Sequence, residues 1–243
     1  MADCYRSDLA YIHDVGYGDH ALKSAPGILD ILAQNNISEG LIVDLGCGSG
    51  LSALEFTKAG YCVLGIDISS DMIALARPRV PQAEFRVASL FKTDIPPCNA
   101  VTAIGECLNY LFDSDNDESQ LLRLFQRIYQ ALTPGGVFIF DILGPGQASN
   151  NSQQFNQGDD WIILVEKEEN PKEFTLTRRI VTLRKVGDVY YERDDEVHHA
   201  KLYRATAIAH KLRQAGFKVQ TLRSYGKFAL PKNHVAFIAQ KPT

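Results

Sequence analysis

The stretch Val43-Asp44-Leu45-Gly46-Cys47-Gly48-Ser49-Gly50 lies between an apolar run and an amphipathic segment, and its reading decides the fold. The preceding Leu41-Ile42-Val43 shows no alternation, as expected of a strand buried on both faces. Three closely spaced glycines let the chain turn tightly and bring its backbone N–H groups near a ligand. The helix expected over Leu51–Ala59 points its N-terminus at the same place, and Gly60 supplies the left-handed residue that ends it.

Outward from this unit the same alternation repeats. A strand is expected over Tyr61–Asp67, and a helix begins at Ser69-Ser70-Asp71, runs through Met72–Arg77 and stops at Pro78. Strands over Glu84–Ala88 and Ala100–Ile104 follow, then a helix over Leu121–Leu132. Thr133-Pro134-Gly135-Gly136 turns the chain into a fifth strand, Val137–Ile142. Upstream, His20–Gln34 has helical spacing, with Pro26 and Gly27 expected to break or restart it. Alternation of this kind implies an α/β fold, a doubly wound, mostly parallel sheet with helices on both faces.

Beyond strand five the pattern changes. Leu143–Asp160 is rich in Gly, Pro, Asn, Gln and Ser and is expected to be a loop. Strands over Trp161–Val165, Phe174–Val186 and Val189–Val197 follow, the last two joined by a two-residue hairpin turn, Gly187-Asp188. A helix over Ala205–Ala215, capped by Gly216, and strands over Phe217–Leu222 and Val235–Ala239 end the chain. The expected organisation is one domain in four parts. These are an N-terminal helical cap (1–37), a cofactor-binding core (38–142), an antiparallel β lid insertion (143–203) and a helix and strands completing the sheet (204–243).

Composition narrows the function classes. The 243 residues are 45% hydrophobic and 22% charged, with a net charge of −4 and a pI near 5.9, so no overall basic surface invites duplex DNA. No apolar run is long enough to span a bilayer, and Met1–Ala10 lacks the apolar core of a secretory signal. The five cysteines are scattered and never form a C-x-x-C pair, which fits reduced thiols in a cytoplasmic protein without a disulfide framework or a zinc site. Asp113, Asp115 and Asp117 imitate a calcium loop, but Glu118 replaces the required glycine and Leu124 the twelfth-position ligand. They are expected instead to start the next helix. The expected partner is a small-molecule acceptor, with no DNA, membrane or metal; a homodimer is left open.

The cofactor class follows from three details. A nicotinamide fingerprint needs a third glycine at position 51, which is Leu51. Asp67 ends the second strand, where a carboxylate can accept from ribose hydroxyls. Asp44 beside the turn would repel a pyrophosphate but suits a ligand bearing an ammonium group. "VDLGCGSG", "GIDIS" and "ALTPGGVFIFDI", in this order, resemble the motifs of class I S-adenosylmethionine-dependent methyltransferases. The resemblance covers residues 38–142 and resumes over 205–240. It implies a Rossmann-like, seven-stranded sheet whose last strand runs antiparallel, with S-adenosyl-L-methionine as cofactor. It further implies that Asp44 and the turn Gly46, Cys47, Gly48 and Gly50 hold the methionine part and that Asp67, with Ile68, holds the ribose. Ser89 and Leu90 fall at the adenine, with Ser89 where this family commonly has Asp. Gly105 and Glu106 border the methyl group, and Asn109 and Tyr110 the substrate.

Methyl transfer from a sulfonium is an in-line displacement that depends mainly on alignment, so no dedicated catalytic residue is required. Tyr5, Tyr11, His13 and Tyr17, with Gly16 and Gly18, resemble the segment that folds over the cofactor in small-molecule methyltransferases; Tyr11 and Tyr17 are expected as cofactor contacts. Strand alternation places Glu196 and His198 on one face and His199 on the other, either toward the site or as a solvated strand end. The candidates for proton transfer are His198, His13 and Glu106, and His198 is also a substrate candidate. Pro96-Pro97-Cys98 precedes strand four, so it is not the nucleophile motif of DNA cytosine methyltransferases. The expected activity is N- or O-methylation of a small molecule. The alternatives are an RNA or protein methyltransferase, with Arg178, Arg179, Arg184 and Lys185 as a basic groove, or a non-catalytic S-adenosylmethionine sensor.

Overall fold

The computed structural model describes residues 4–113, 116, 118–147 and 152–243. Helices α1 (Ser7–Tyr17) and α2 (Asp19–Gln34) precede the alternating core. That core runs β1 (Leu41–Leu45), α3 (Leu51–Lys58), β2 (Cys62–Asp67), α4 (Ser70–Arg79), β3 (Glu84–Val87), β4 (Cys98–Ala103), α5 (Glu118–Ala131) and β5 (Leu132–Leu143). Four antiparallel strands follow: β6 (Ser152–Gln157), β7 (Trp161–Asn170), β8 (Thr175–Val186) and β9 (Tyr190–Lys201). The chain returns through α6 (Ala205–Gln214), β10 (Lys218–Leu222), a small hairpin of β11 (Ser224–Tyr225) and β12 (Phe228–Ala229), and β13 (His234–Gln240).

The large sheet has the order β3-β2-β1-β4-β5-β13-β10, and only β13 opposes its neighbours. Its central strands are buried on both faces. On one face Phe125, Leu124 and Ile128 of α5 and Ile208 and Leu212 of α6 pack over Val43, Val101 and Phe138. On the other, Ile28 and Leu32 of α2, Phe56 of α3 and Ile73 of α4 cover Ile42, Val63 and Ile139. Phe140 stacks on its cross-strand partner Phe237 at 4.9 Å. Fully burying one such side chain stabilises by about 1.5–3 kcal/mol. Among the described residues no helix is long and apolar enough to cross a membrane.

Five local expectations need correction. Helix α2 runs unbroken through Pro26, whose missing N–H costs one bond to the preceding turn. The cost is offset by burial of Ile28, Ile31 and Leu32, and by Gly27, where a Cβ would overlap the Tyr225 backbone. Helix α4 extends past Pro78 to Arg79, with Ser69 capping Met72 N–H as expected. The predicted loop 143–160 contains β6, whose residues are nearly all exposed and so leave no hydrophobic alternation to find. The β8–β9 connection has three residues, 187–189, because Val186 pairs with Tyr190. Thr133–Gly136 is an irregularity inside β5, where pairing jumps from Cys98–Leu132 to Ala100–Val137. Asp115 and Asp117 lie outside the described residues, and α5 starts at Glu118.

Asn109 and helix α1 are among the links that join the second sheet to the first. Asn109 is fully buried, donates to the Leu143 carbonyl (2.9 Å) and accepts from Leu143 N–H (3.0 Å), while its backbone carbonyl accepts from Lys201 N–H (2.7 Å). Helix α1 forms another link, its Leu9 and Ile12 packing on Trp161, Ile163 and Ile180.

Candidate active site

The strand β1 ends in a turn that only glycine fits comfortably. Gly46, Gly48 and Gly50 all have left-handed backbones, and a Cβ on Gly48 would meet nothing within 4 Å, so its backbone faces open space. Gly46 and Cys47 N–H groups bond the Ile66 carbonyl at 2.7 and 3.1 Å, tying the turn to β2. At the end of β2, Asp67 accepts from Gly48 N–H (2.8 Å) and Ser69 N–H (2.9 Å). Burial raises its pKa, and these backbone donors work against that rise.

These residues floor a cavity of about 380 Å³ between the carboxyl ends of the large sheet, α1 and the inner face of the second sheet. The position is the one where doubly wound sheets bind ligands, and the size is within the small-molecule range. Asp44 is buried there and accepts from Thr102 Oγ1 at 2.6 Å; burial pushes its pKa up to about 6. Asp141, fully buried at the end of β5, accepts from the N–H groups of Gly105 (3.1 Å) and Glu106 (2.9 Å) and from Tyr225 hydroxyl (3.2 Å). That grip holds Glu106 in the left-handed region, φ 65°, uncommon outside glycine.

The Glu106 carboxylate is clamped from two sides. Arg178 Nη2 of β8 donates to Oε2 at 2.7 Å, and His234 Nε2 of β13 lies 2.8 Å from Oε1. Burial alone would raise its pKa, but the two partners hold it down to about 2. Burial likewise opposes a charge on His234, and Glu106 overcomes this and raises its pKa. Arg178 Nη1 also donates to Tyr110 hydroxyl (3.1 Å), which bonds Tyr5 hydroxyl at 2.8 Å.

The cavity brings together most of the residues expected from sequence: His13, Tyr17, Asp44, Gly46, Cys47, Gly48, Asp67, Ile68, Leu90, Gly105, Glu106 and Tyr110. Five expected residues are placed outside its lining. Tyr11 points toward the second sheet, with the Arg184 guanidinium 3.5 Å above its ring and Asp160 at 3.2 Å from its hydroxyl. Gly50 caps α3 behind the turn. Ser89 hydroxyl donates to Asp113 at 2.6 Å, so the buried carboxyl that lines the cavity near Leu90 is Asp113. Asn109 is spent on the Leu143 and Lys201 backbone. His198, only 2% exposed, is bonded to Glu196 (2.8 Å), whose carboxylate also accepts from the Tyr5 and Arg6 N–H groups. The pair is therefore neither solvated nor in the cavity; it anchors the N-terminal segment.

With Ser49, Ser52 and Gln154, the side chains of Tyr5, His20, Asp113, Lys167 and Arg178 add to the polar lining. Alternation along β7 and β8 is the signal that finds the last two, since Trp161, Ile163 and Val165 share the face of Lys167, and Ile180 that of Arg178. The same alternation dissolves the basic groove. Arg178 and Arg184 turn inward to Glu106 and Asp160, while Arg179 lies 3.9 Å from both Glu166 and Glu168. Among the described residues no cluster could hold a metal ion.

The lining fits the S-adenosylmethionine that the resemblance implies. The buried acid Asp44 favours a positive group, Gly48 presents bare backbone, and Asp67 stands at the strand end where the resemblance puts the ribose. His20 also lines the cavity, with its Nε2 buried 3.6 Å from Asp141 Oδ2.

A methyltransferase-domain family model matches residues 42–136. A protein of Geobacillus sp. (strain WCH70) named as a methyltransferase is 27% identical over 216 residues, 82% of this chain and 84% of its own. The fold is shared with a Clostridium acetobutylicum S-adenosylmethionine-dependent methyltransferase (TM-score 0.81, 20% identity, 99% of this chain and 100% of that one). It is shared too with a sugar N-methyltransferase of Streptoalloteichus sp. (TM-score 0.79, 17% identity, 100% and 94%). A Saccharomyces cerevisiae 18S rRNA guanine-N7 methyltransferase is 36% identical over 107 residues, 40% of this chain and 38% of its own.

Proposed function

We propose that the chain is a class I S-adenosylmethionine-dependent methyltransferase and that it methylates a small molecule, on nitrogen or oxygen, within the cavity beneath the second sheet. The observation that carries this reading is the enclosure itself. The acceptor's space is bounded by β7 and β8 on one side and α1 on another, and among the described residues Arg178, Arg179 and Arg184 each face a carboxylate. The fold of the sugar N-methyltransferase is shared over the whole chain; in sequence, likeness to a Streptomyces venezuelae amino-sugar N,N-dimethyltransferase spans 56% of the chain and likeness to the rRNA enzyme 40%.

S-adenosylmethionine, held by the 46–50 turn, Asp44 and Asp67, supplies an electrophilic methyl group on a positively charged sulfur. The protein's own task is to align the acceptor and exclude water. His13 is the best placed of the three proton-transfer candidates. It lines the cavity, and burial lowers its pKa to about 4, so at neutral pH it is an uncharged imidazole that can accept a hydrogen bond from the acceptor, while the same burial weakens it as a base. Glu106 has both oxygens engaged and positions Arg178 and His234. His198 is too deeply committed to Glu196 to reach an acceptor.

The test is an acceptor screen read as S-adenosylhomocysteine release, with amino sugars, other small amines and hydroxyl compounds in one arm and total RNA in another. Release with a small molecule supports the reading. Release with RNA alone overturns it, and no release in either arm favours a sensor.

A further inference from the structure

On the inner face of the second sheet, Lys167 of β7, Arg178 of β8 and His198 of β9 sit side by side in one cross-strand row. Like charges directly opposite on neighbouring strands repel, so such a row needs counter-charges. Two of the three have them. Arg178 is paired with Glu106 at 2.7 Å and His198 with Glu196 at 2.8 Å. Lys167 has no ion pair or hydrogen bond among the described residues, although it is half-buried and lines the cavity. Desolvation lowers its pKa and Arg178 lowers it further, while the charge of Glu106, itself clamped by Arg178 and His234, offsets part of this. The large sheet's end of the cavity carries the carboxyl groups of Asp44 and Asp67, which repel an anion.

Taking the small-molecule reading as given, we propose that Lys167, assisted by Arg178, forms an oxyanion subsite for the acceptor. The acceptor then carries a carboxylate or phosphate group, seated on the second sheet and turned away from the acidic floor. This polarity orients the acceptor: its anion lies against β7 and β8, and its nucleophilic atom faces the glycine turn. Lys167 is a specificity-determining residue in this scheme, and Arg178 keeps its place through Glu106.

The test uses the full-length protein saturated with S-adenosylhomocysteine. Malonate, inorganic phosphate and uncharged malonamide are titrated at constant ionic strength, and binding is followed by the chemical shifts of cavity residues. Saturable binding of malonate or phosphate, but not malonamide, is expected, and the stronger of the two identifies the acceptor's anion. In Lys167→Gln the oxyanion affinity should fall about tenfold or more, while in Lys167→Arg it stays within about threefold. S-adenosylhomocysteine affinity, measured in the same samples, should be unchanged in both variants. Equal oxyanion affinity in the wild type and Lys167→Gln, or no saturable binding of either oxyanion, overturns the proposal. RNA-only activity in the acceptor screen would instead overturn the small-molecule reading, so the two failures are distinguishable.

Discussion

In the proposed site, the buried Asp44 carboxyl would couple cofactor charge to pH. Its folded pKa, about 6, lies above the ordinary 3.8, so the unfolded chain releases this proton first. Ligand-free stability therefore declines as pH rises from about 4 to about 6, by roughly 3 kcal/mol in total. A cationic ligand reverses the preference by drawing the proton off. S-adenosylmethionine affinity should rise by up to about tenfold per pH unit below 6 and level off above it. Asp44→Asn should flatten this curve. Calorimetric titration between pH 5 and 8 is the check, and a wild-type affinity independent of pH would rule the coupling out. Asp67 behaves differently, because its oxygens already accept from Gly48 and Ser69. Asp67→Ala should weaken the cofactor about tenfold or more. It should also lower the ligand-free melting temperature, since two backbone donors lose their acceptor. An unaltered affinity in the folded variant would place the ribose contact elsewhere.

At the scale of elements, α1 is the hinge between the two sheets. Asp14 of this helix accepts from Ser49 hydroxyl (2.6 Å) and from Arg79 in two-pronged fashion (2.7 and 2.8 Å), which fastens it to the glycine turn. Asp14→Ala should cost about 1–2 kcal/mol, as loss of a partly buried charged pair does. It should speed proteolysis near the N-terminus and weaken cofactor binding several-fold, as limited digestion and titration would show. Unchanged digestion would mean that the Trp161–Ile163–Ile180 cluster alone holds α1. The strand and helix pattern of the large sheet was legible in sequence because burial on both faces leaves continuous apolar runs such as Leu41–Val43. Strand β6 was not, because its residues are nearly all exposed, nor was the course of α2, because the partner of Gly27 is Tyr225 at the far end of the chain. The glycine turn and Asp67 were legible because their chemistry is local. Lys167 and Arg178 became a site only through strand register, and Asp113 only through its bond to Ser89.

At the scale of the whole molecule the two sheets divide the work. The large sheet carries the glycine turn, Asp44 and Asp67, and the second sheet carries Lys167, Arg178 and the Glu196 carboxylate that anchors Tyr5 and Arg6. Closing such a wall over a site excludes water and aligns the reacting groups, worth several kcal/mol in favourable cases. Replacing residues 152–201 with a flexible Gly-Ser linker of about ten residues should therefore abolish turnover of whichever acceptor the screen returns. The glycine turn proposed to hold the cofactor is built on the other sheet, so S-adenosylhomocysteine affinity should fall by no more than about tenfold, roughly 1.4 kcal/mol. Much of that loss would come from α1, whose Leu9 and Ile12 lose the apolar cover of Trp161, Ile163 and Ile180. Calorimetry and the release assay on the same preparation separate the two effects. A folded variant with normal turnover would show that the second sheet is not the acceptor's wall, and the acceptor would then have to be held by α1 and the large sheet alone.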